Sequence, residues 1–240
     1  LSLNAEDAAL KTWAPEVGTR TALVWFGLAQ ATGPCVWCED GIIRTNFGPA
    51  PGQLLDVREM KIRGPHNHLN ACAAAAMALI RGFDPADIVQ GLCSFGGLPH
   101  RLEFVAEVDG VSYYNDSKST TAESVLCAVT AFGANVHLIA GGRDKGCDFS
   151  VVRDAVKDRV KSVHLIGEAA RRMLSEWKGL TRISREKTLA TALQHARACA
   201  VPGDVIVLSP GCASFDMFRD YEDRGRSFRD LVLAMASEGQ

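Results

Sequence analysis

The chain has 240 residues, 47% of them hydrophobic and 22% charged, which suits one large or two ordinary globular domains. Its net charge of -2 provides no basic field to favour nucleic acid. No apolar run approaches the ~20 residues that a membrane-spanning helix needs.

Eight cysteines are scattered at positions 35, 38, 72, 93, 127, 147, 199 and 212. Only Cys35 and Cys38 form a C-x-x-C, and no second pair completes a zinc pattern. The thiols read as packing residues in a reducing, cytoplasmic setting. The chain begins at Leu1 rather than Met and shows no signal-peptide pattern, so an N-terminal part of a longer protein is expected to precede it.

Residues 1–60 carry short apolar runs at 21–26, 35–38 and 42–45, broken by Gly, Pro and Asn. Glu39-Asp40-Gly41 is a hairpin signal, and the segment is expected to be β-rich, starting with a strand-like stretch at 1–4. Residues 66–81 form an Ala-rich helix, closed by Gly82. Asp84-Pro85 supplies the N-cap and first position of another helix, running to about Leu92. Alternating runs at 102–108 and 111–114 flank Asp109-Gly110 and predict a second hairpin.

From there the pattern becomes helix and strand in turn. Helices are expected at 121–132, 150–159, 168–177, 186–200 and 222–236, and strands at 136–140, 162–166, 181–183 and 204–208. This alternation implies an α/β domain with a mostly parallel sheet, and a domain boundary near residues 96–101. In such sheets ligands sit beyond the carboxyl ends of the strands.

Three loops at those ends are unusually polar. They are Asp116-Ser117-Lys118-Ser119-Thr120, Gly141-Gly142-Arg143-Asp144-Lys145-Gly146 and Ser209-Pro210-Gly211-Cys212-Ala213-Ser214. Glycines permit close backbone approach, Lys145 offers a cation for a carboxylate or phosphate, and Ser214 offers a hydroxyl, beside helix N-terminal amides. The glycine loop is neither a GxxxxGK[ST] nor a GxGxxG. Asn67 and Asn70 lie three apart on one helix face; they suit either a purine edge or helix capping. Arg101 suits either an anion or a stem laid over the hairpin. His66 and His68 have no third ligand nearby, and no metal site is expected.

These segments together resemble the Mur ligase superfamily, most closely its D-glutamate-adding members. Gly64-Pro65-His66-Asn67-His68-Leu69-Asn70-Ala71 is similar to the family's GxHNxxNA. Gly97-Leu98-Pro99-His100-Arg101 matches its GLPHR, Asn115-Asp116-Ser117-Lys118-Ser119-Thr120 its NDSKAT, and Leu208 to Asp216 its LSPACASxD. The departures are Ser119 for Ala, Thr121 for Asn, Gly211 for Ala and Tyr221 for Phe. The family's GTNGK[ST] phosphate loop does not occur in the chain.

The resemblance implies a partial central ATPase domain at 1–98 and a Rossmann-like, amino-acid-binding domain at 99–240, with helices on both sheet faces. It implies an ATP-dependent ligase of peptidoglycan synthesis. ATP would phosphorylate the carboxylate of UDP-N-acetylmuramoyl-L-alanine, and D-glutamate would attack the acyl phosphate. It further implies that Asn67 and Asn70 meet adenine, that Arg101 and Asp116 hold ribose and phosphates, and that Lys118 meets the transferring phosphate, making Lys118 and Asp116 the catalytic pair. Thr120, Lys145, Ser214 and Tyr221 would bind D-glutamate. Mg2+ ligands would lie in the preceding part of the protein. A related amide ligase of the folylpolyglutamate synthase type, and a non-catalytic nucleotide- or amino-acid-binding module, are the alternative readings.

Overall fold

The change of pattern along the chain appears as a change of architecture. The computed structural model describes residues 1–238 and divides into two compact units, Leu1–Gly96 and Gly97–Gln240; Gly239 and Gln240 lie outside the described residues.

The first unit runs β1 (Ser2–Asn4), α1 (Ala8–Gly18), β2 (Val24–Gly27), β3 (Cys35–Glu39), β4 (Ile42–Thr45), β5 (Gly52–Asp56), α2 (Pro65–Ile80) and α3 (Pro85–Ser94). The strands form one sheet in that order, parallel from β1 to β3 and antiparallel from β3 to β5. Asp40 and Gly41 turn the β3–β4 hairpin with φ of 52° and 76°, the paired positive values a type I′ turn requires.

The five strands bear out the β-rich reading of residues 1–60; α1 is the one α-helix that reading did not include. Pro15 inside it masks the helical pattern, while Asp7 caps it through Oδ1, which accepts from the Ala9 and Leu10 amides. α2 ends as its sequence predicts. Gly82 takes φ 79°, and the Phe83 amide reaches back to the Ala78 carbonyl, closing a Schellman motif. The alanines of α2 let it lie close on the sheet, where Ala71, Cys72, Ala75, Ala76 and Leu79 meet Val36, Ile43, Leu55 and Met60. Cys35 and Cys38 are three apart on β3 and point to opposite faces. Burial raises both thiol pKa values, and both side chains pack in the interior.

The second unit runs β6 (Glu103–Val108), β7 (Val111–Asn115), α4 (Ala122–Ala131), β8 (Val136–Gly141), α5 (Arg153–Arg159), β9 (Val160–Ile166), α6 (Ala170–Trp177), β10 (Arg182–Arg185), α7 (Leu189–Cys199), β11 (Val205–Leu208) and α8 (Tyr221–Glu238). Its sheet order is β10-β9-β8-β11-β7-β6, parallel except for β6. Alternate residues of the central strands face opposite cores. Leu138, Ala140 and Val207 pack with α4, α5 and α6, whereas Ile139, Ile206 and Leu208 pack with α7 and α8. This is the Rossmann-like sheet with helices on both faces.

Two helix starts differ from expectation. Residues 149–152 form a 3-10 turn before α5, capped by Asp148 accepting from the Ser150 amide. α7 starts at Leu189 rather than 186 because Thr188 and Thr191 form a capping box, while the Glu186 amide still bonds the Leu165 carbonyl of β9. Both edges of the sheet are interrupted. β6 carries a bulge between Phe104 and Ala106, and the short β10 is flanked by exposed Arg182 and Arg185.

On the α7 face a polar chain runs from Asp204, just before β11, across the three strands β8, β9 and β10. Asp204 Oδ2 meets His137 Nε2 at 3.0 Å, and His137 Nδ1 meets Ser162 Oγ at 2.7 Å. Ser162 Oγ meets His164 Nε2 at 2.8 Å, and His164 Nδ1 meets Ser184 Oγ at 2.9 Å. Both imidazoles are buried.

Candidate functional site

Strands β7, β11 and β8 are neighbours, with Leu208 in register with both Asn115 and Ile139. Their carboxyl ends therefore open side by side, and the three polar loops meet on one rim. Backbone bonds join them: the Gly211 amide donates to Ser119 O at 3.0 Å, Gly141 to Pro210 O at 2.8 Å and Arg143 to Ala213 O at 2.8 Å. Two glycines make the approach possible. Gly141 and Gly142 have φ of 107° and 137°, and a side chain on either would collide with the Ile166 or Ala213 carbonyl.

Beneath the rim lies Arg224, 1% exposed. Its Nε donates to Ser117 Oγ at 2.9 Å, and its Nη2 to Ser117 O at 2.9 Å and Cys212 O at 3.1 Å. One guanidinium thus braces two loops, and Nη1 would lie 3.1 Å from a Cβ placed on Gly142. Burial lowers its pKa to about 10 against the opposing pull of the nearby Cys212 and Asp216, so it stays charged at neutral pH. Asp216 Oδ2 accepts from the Glu168 amide at 3.0 Å, tying the third loop to the end of β9. The sequence singled out neither role. Arg224 stands among four arginines in residues 219–229, a stretch that reads as a solvated helix face.

Asp116 is 8% exposed. Its Oδ1 accepts from the Leu102 amide at 3.2 Å and its Oδ2 from Ser209 Oγ at 2.8 Å. Burial pushes its carboxyl pKa up to about 6, against the pull of these hydrogen bonds. The carboxylate joins the entry of the hairpin to the end of β11.

A groove of about 450 Å³ on the second unit is lined by Leu98, Pro99, His100, Arg101, Lys118, Tyr221 and Glu222. Lys118 Nζ sits 3.9 Å over the Tyr221 ring, and the His100 ring meets the same ring edge-on at 6.0 Å. His100 and Leu102 have φ of 64° and 42°; this tight turn brings Arg101, whose side chain is exposed, to the groove. Of the expected site residues the groove gathers Arg101, Lys118 and Tyr221.

Asp116, Thr120, Ser214 and Lys145 stand elsewhere on the same unit, and Asn67 and Asn70 stand on the first. Thr120 is half-buried just before Thr121, the N-cap of α4. Ser214 is buried, and its carbonyl accepts from the Met217 and Phe218 amides. It enters a turn rather than a helix N-terminus, since α8 starts only at Tyr221. Lys145 is exposed at the tip of the glycine loop, with no hydrogen bond or ion pair among the described residues. In the first unit, Asn67 Nδ2 donates to the Arg63 carbonyl at 2.7 Å and Asn70 Nδ2 to Asn67 Oδ1 at 3.4 Å. The cap of α2 is Gly64, not Asn67, so the capping reading gives way to a tie to the preceding loop. Asn70 is exposed beside it. Among the described residues no three His, Cys, Asp or Glu side chains are grouped to hold a metal ion. Among the same residues no helix is long and apolar enough to cross a membrane.

Residues 100–212 match the family model described as Mur ligase, glutamate ligase domain. The UDP-N-acetylmuramoylalanine–D-glutamate ligase of Acidobacterium capsulatum is 38% identical over 236 residues, 98% of this chain and 51% of that protein. The enzyme of the same name from Aquifex aeolicus is 44% identical over 181 residues, 75% of this chain and 44% of that protein. The chain spans about half the length of the curated relatives it matches.

Among solved structures, the Acinetobacter baumannii UDP-N-acetylmuramoylalanyl-D-glutamyl-2,6-diaminopimelate–D-alanyl-D-alanyl ligase has a TM-score of 0.68 at 18% identity, covering 97% of this chain and 50% of its own. The bifunctional folylpolyglutamate synthase/dihydrofolate synthase of Yersinia pestis has a TM-score of 0.62 at 17% identity, covering 93% of this chain and 50% of its own. At those identities the likeness is one of fold. Taken with the ordered motifs and the rim they build, the sequence matches establish that the chain belongs to the Mur ligase family.

Proposed function

We propose that this chain is the latter part of an ATP-dependent ligase that joins D-glutamate to UDP-N-acetylmuramoyl-L-alanine in peptidoglycan precursor synthesis. Residues 1–98 supply the later portion of the ATP-binding domain and residues 99–240 the amino-acid-binding domain. The observation that carries the reading is the rim itself, where three loops with cations and hydroxyls converge at the carboxyl ends of parallel strands. D-Glutamate carries two carboxylates, which call for charge-assisted donors. The names of the relatives support the amino acid added.

In this reading the acyl phosphate forms at the substrate carboxylate, and the amine of D-glutamate displaces phosphate. The protein's task is alignment and charge balance. Lys145 pairs the side-chain carboxylate of D-glutamate, with Thr120 and Ser214 as hydroxyl donors, and Tyr221, under the Lys118 ammonium, contributes from the groove. Arg101 and Asp116 orient the nucleotide, Lys118 balances the charge on the transferring phosphate, and Asn67 and Asn70 meet adenine. The eight unbridged thiols favour the cytoplasm as its compartment.

The test is kinetic and uses the whole ligase. Lys145→Ala is expected to raise the D-glutamate KM roughly ten- to hundredfold, the loss of one charge-assisted contact. An unchanged KM removes Lys145 from this role. A panel of D-glutamate, glycine, L-alanine and folate substrates separates this ligase from its relatives: turnover with glycine, L-alanine or folate and none with D-glutamate overturns the reading.

A further inference from the structure

Lys145 lies between two residues that are both tied down. Asp144 Oδ1 accepts from the Gly146 amide at 2.8 Å, making an Asx turn around Lys145. Both carboxylate oxygens of Asp144 also accept from Arg172 Nη1 at 2.9 Å. Arg172 stands on α6, where its Nε bonds Glu176 Oε1 at 3.0 Å. Its Nη2 bonds the Cys147 carbonyl, and its guanidinium lies 5.0 Å over the Phe149 ring. The Gly146 and Arg172 hydrogen bonds hold the Asp144 carboxyl below its ordinary pKa despite the opposing effect of burial, so Asp144 is anionic at neutral pH. An anion next in sequence to Lys145 is the obvious partner for its ammonium, yet the Lys145 side chain is left exposed and unpaired among the described residues.

We propose that Arg172 is a positioning residue for amino-acid selection: by sequestering the Asp144 carboxylate it keeps the Lys145 ammonium free for the incoming acidic amino acid. The inference rests on the reading of Lys145 given above. Arg172 touches no substrate. It acts through Asp144, which would otherwise fold over the Lys145 ammonium and compete with the substrate carboxylate. The same contacts fasten Asp144 and the Cys147 carbonyl to α6 while Lys145 stays exposed between them.

The test is steady-state kinetics of the whole ligase. Arg172→Gln, which keeps a donor for the Cys147 carbonyl but removes the charge, is expected to raise the D-glutamate KM roughly fivefold, the scale of an exposed ion pair, with kcat and the ATP KM within about twofold. Adding Asp144→Asn, which keeps the Asx acceptor without the charge, is expected to restore the KM. Arg172→Lys is expected to need no such rescue.

A raised KM that Asp144→Asn does not restore overturns sequestration. An unchanged KM in Arg172→Gln, while Lys145→Ala still raises it, overturns the positioning role and leaves the Lys145 reading standing. An unchanged KM in Lys145→Ala overturns both. A second measurement needs no variant: in the unsubstituted protein the Lys145 Cε resonance is expected to stay still while Asp144 titrates, and a coupled shift overturns the inference.

Discussion

Gly225 lies inside α8, where alanine would ordinarily gain about 1 kcal/mol over glycine. Here a Cβ would collide with the His100 imidazole and stand 3.1 Å from Asn115 Nδ2. The Asn115 amide already reaches His100 Nδ1 at 2.9 Å and the Gly225 carbonyl at 3.2 Å, so the ring has little room to yield. Gly225→Ala is therefore expected to destabilise by about 1–3 kcal/mol, and a denaturation midpoint that rises instead would refute this packing. Arg224→Met removes the brace under two loops and leaves the Ser117 and Cys212 carbonyls short of a buried donor. A loss of about 2–4 kcal/mol is expected, read from the urea midpoint. The motifs revealed which loops matter because their residue types are unusual together. They did not reveal the arginines that hold the loops, since Arg172 and Arg224 look like any arginine on an amphipathic helix until the fold pairs them with loop atoms.

Among the elements, the sheet of the second unit carries its own acid sensitivity. A carboxylate only accepts, so His137 donates to Asp204 through Nε2 and accepts from Ser162 through Nδ1. Ser162 then accepts from His164 Nε2, and His164 Nδ1 accepts from Ser184. Every member is satisfied with both rings neutral. Burial lowers the His164 pKa from 6.5 to about 4, against the pull of Glu186 and with a further push from His137 and His195. Below pH ~6.5 the unfolded chain takes up a proton that the folded chain refuses, so the stability present above that pH is lost as pH falls toward 4, by about 3 kcal/mol at full extent. Asp204, held low by Lys161 and His137 despite its burial, adds to the loss at still lower pH. Urea midpoints between pH 7 and 4 check this: His164→Gln is expected to flatten the profile, and a slope unchanged by that substitution would refute it. The helices and strands of this unit were legible because the central strands β8 and β11 are short, largely apolar runs set between helical segments. α1 was not, because a proline interrupts its pattern and its cap lies outside any motif.

Over the whole molecule, each unit builds its own core. The core of the first unit centres on Val36, Ile43, Leu55 and Cys72; those of the second centre on Val125, Leu138 and Trp177 on one sheet face and Ile139, Leu193 and Phe228 on the other. Thermal unfolding is expected to resolve two transitions, with Ile43→Ala lowering one and Phe228→Ala the other by an amount set by about 3–5 kcal/mol of lost packing. A single transition shifted equally by both would refute separate cores. Family membership was legible across both units because the motifs fall in order along the chain, whereas the grouping of Tyr221 with Lys118 and Arg101 needed the fold.

The interrupted edges of the six-stranded sheet have a consequence for behaviour at high concentration. The bulge in β6 breaks the regular spacing of its outward amides, and the four-residue β10 meets any approaching strand with Arg182 and Arg185. Neither edge offers a flat template for another chain, so the folded second unit resists strand-to-strand aggregation by its shape and charge.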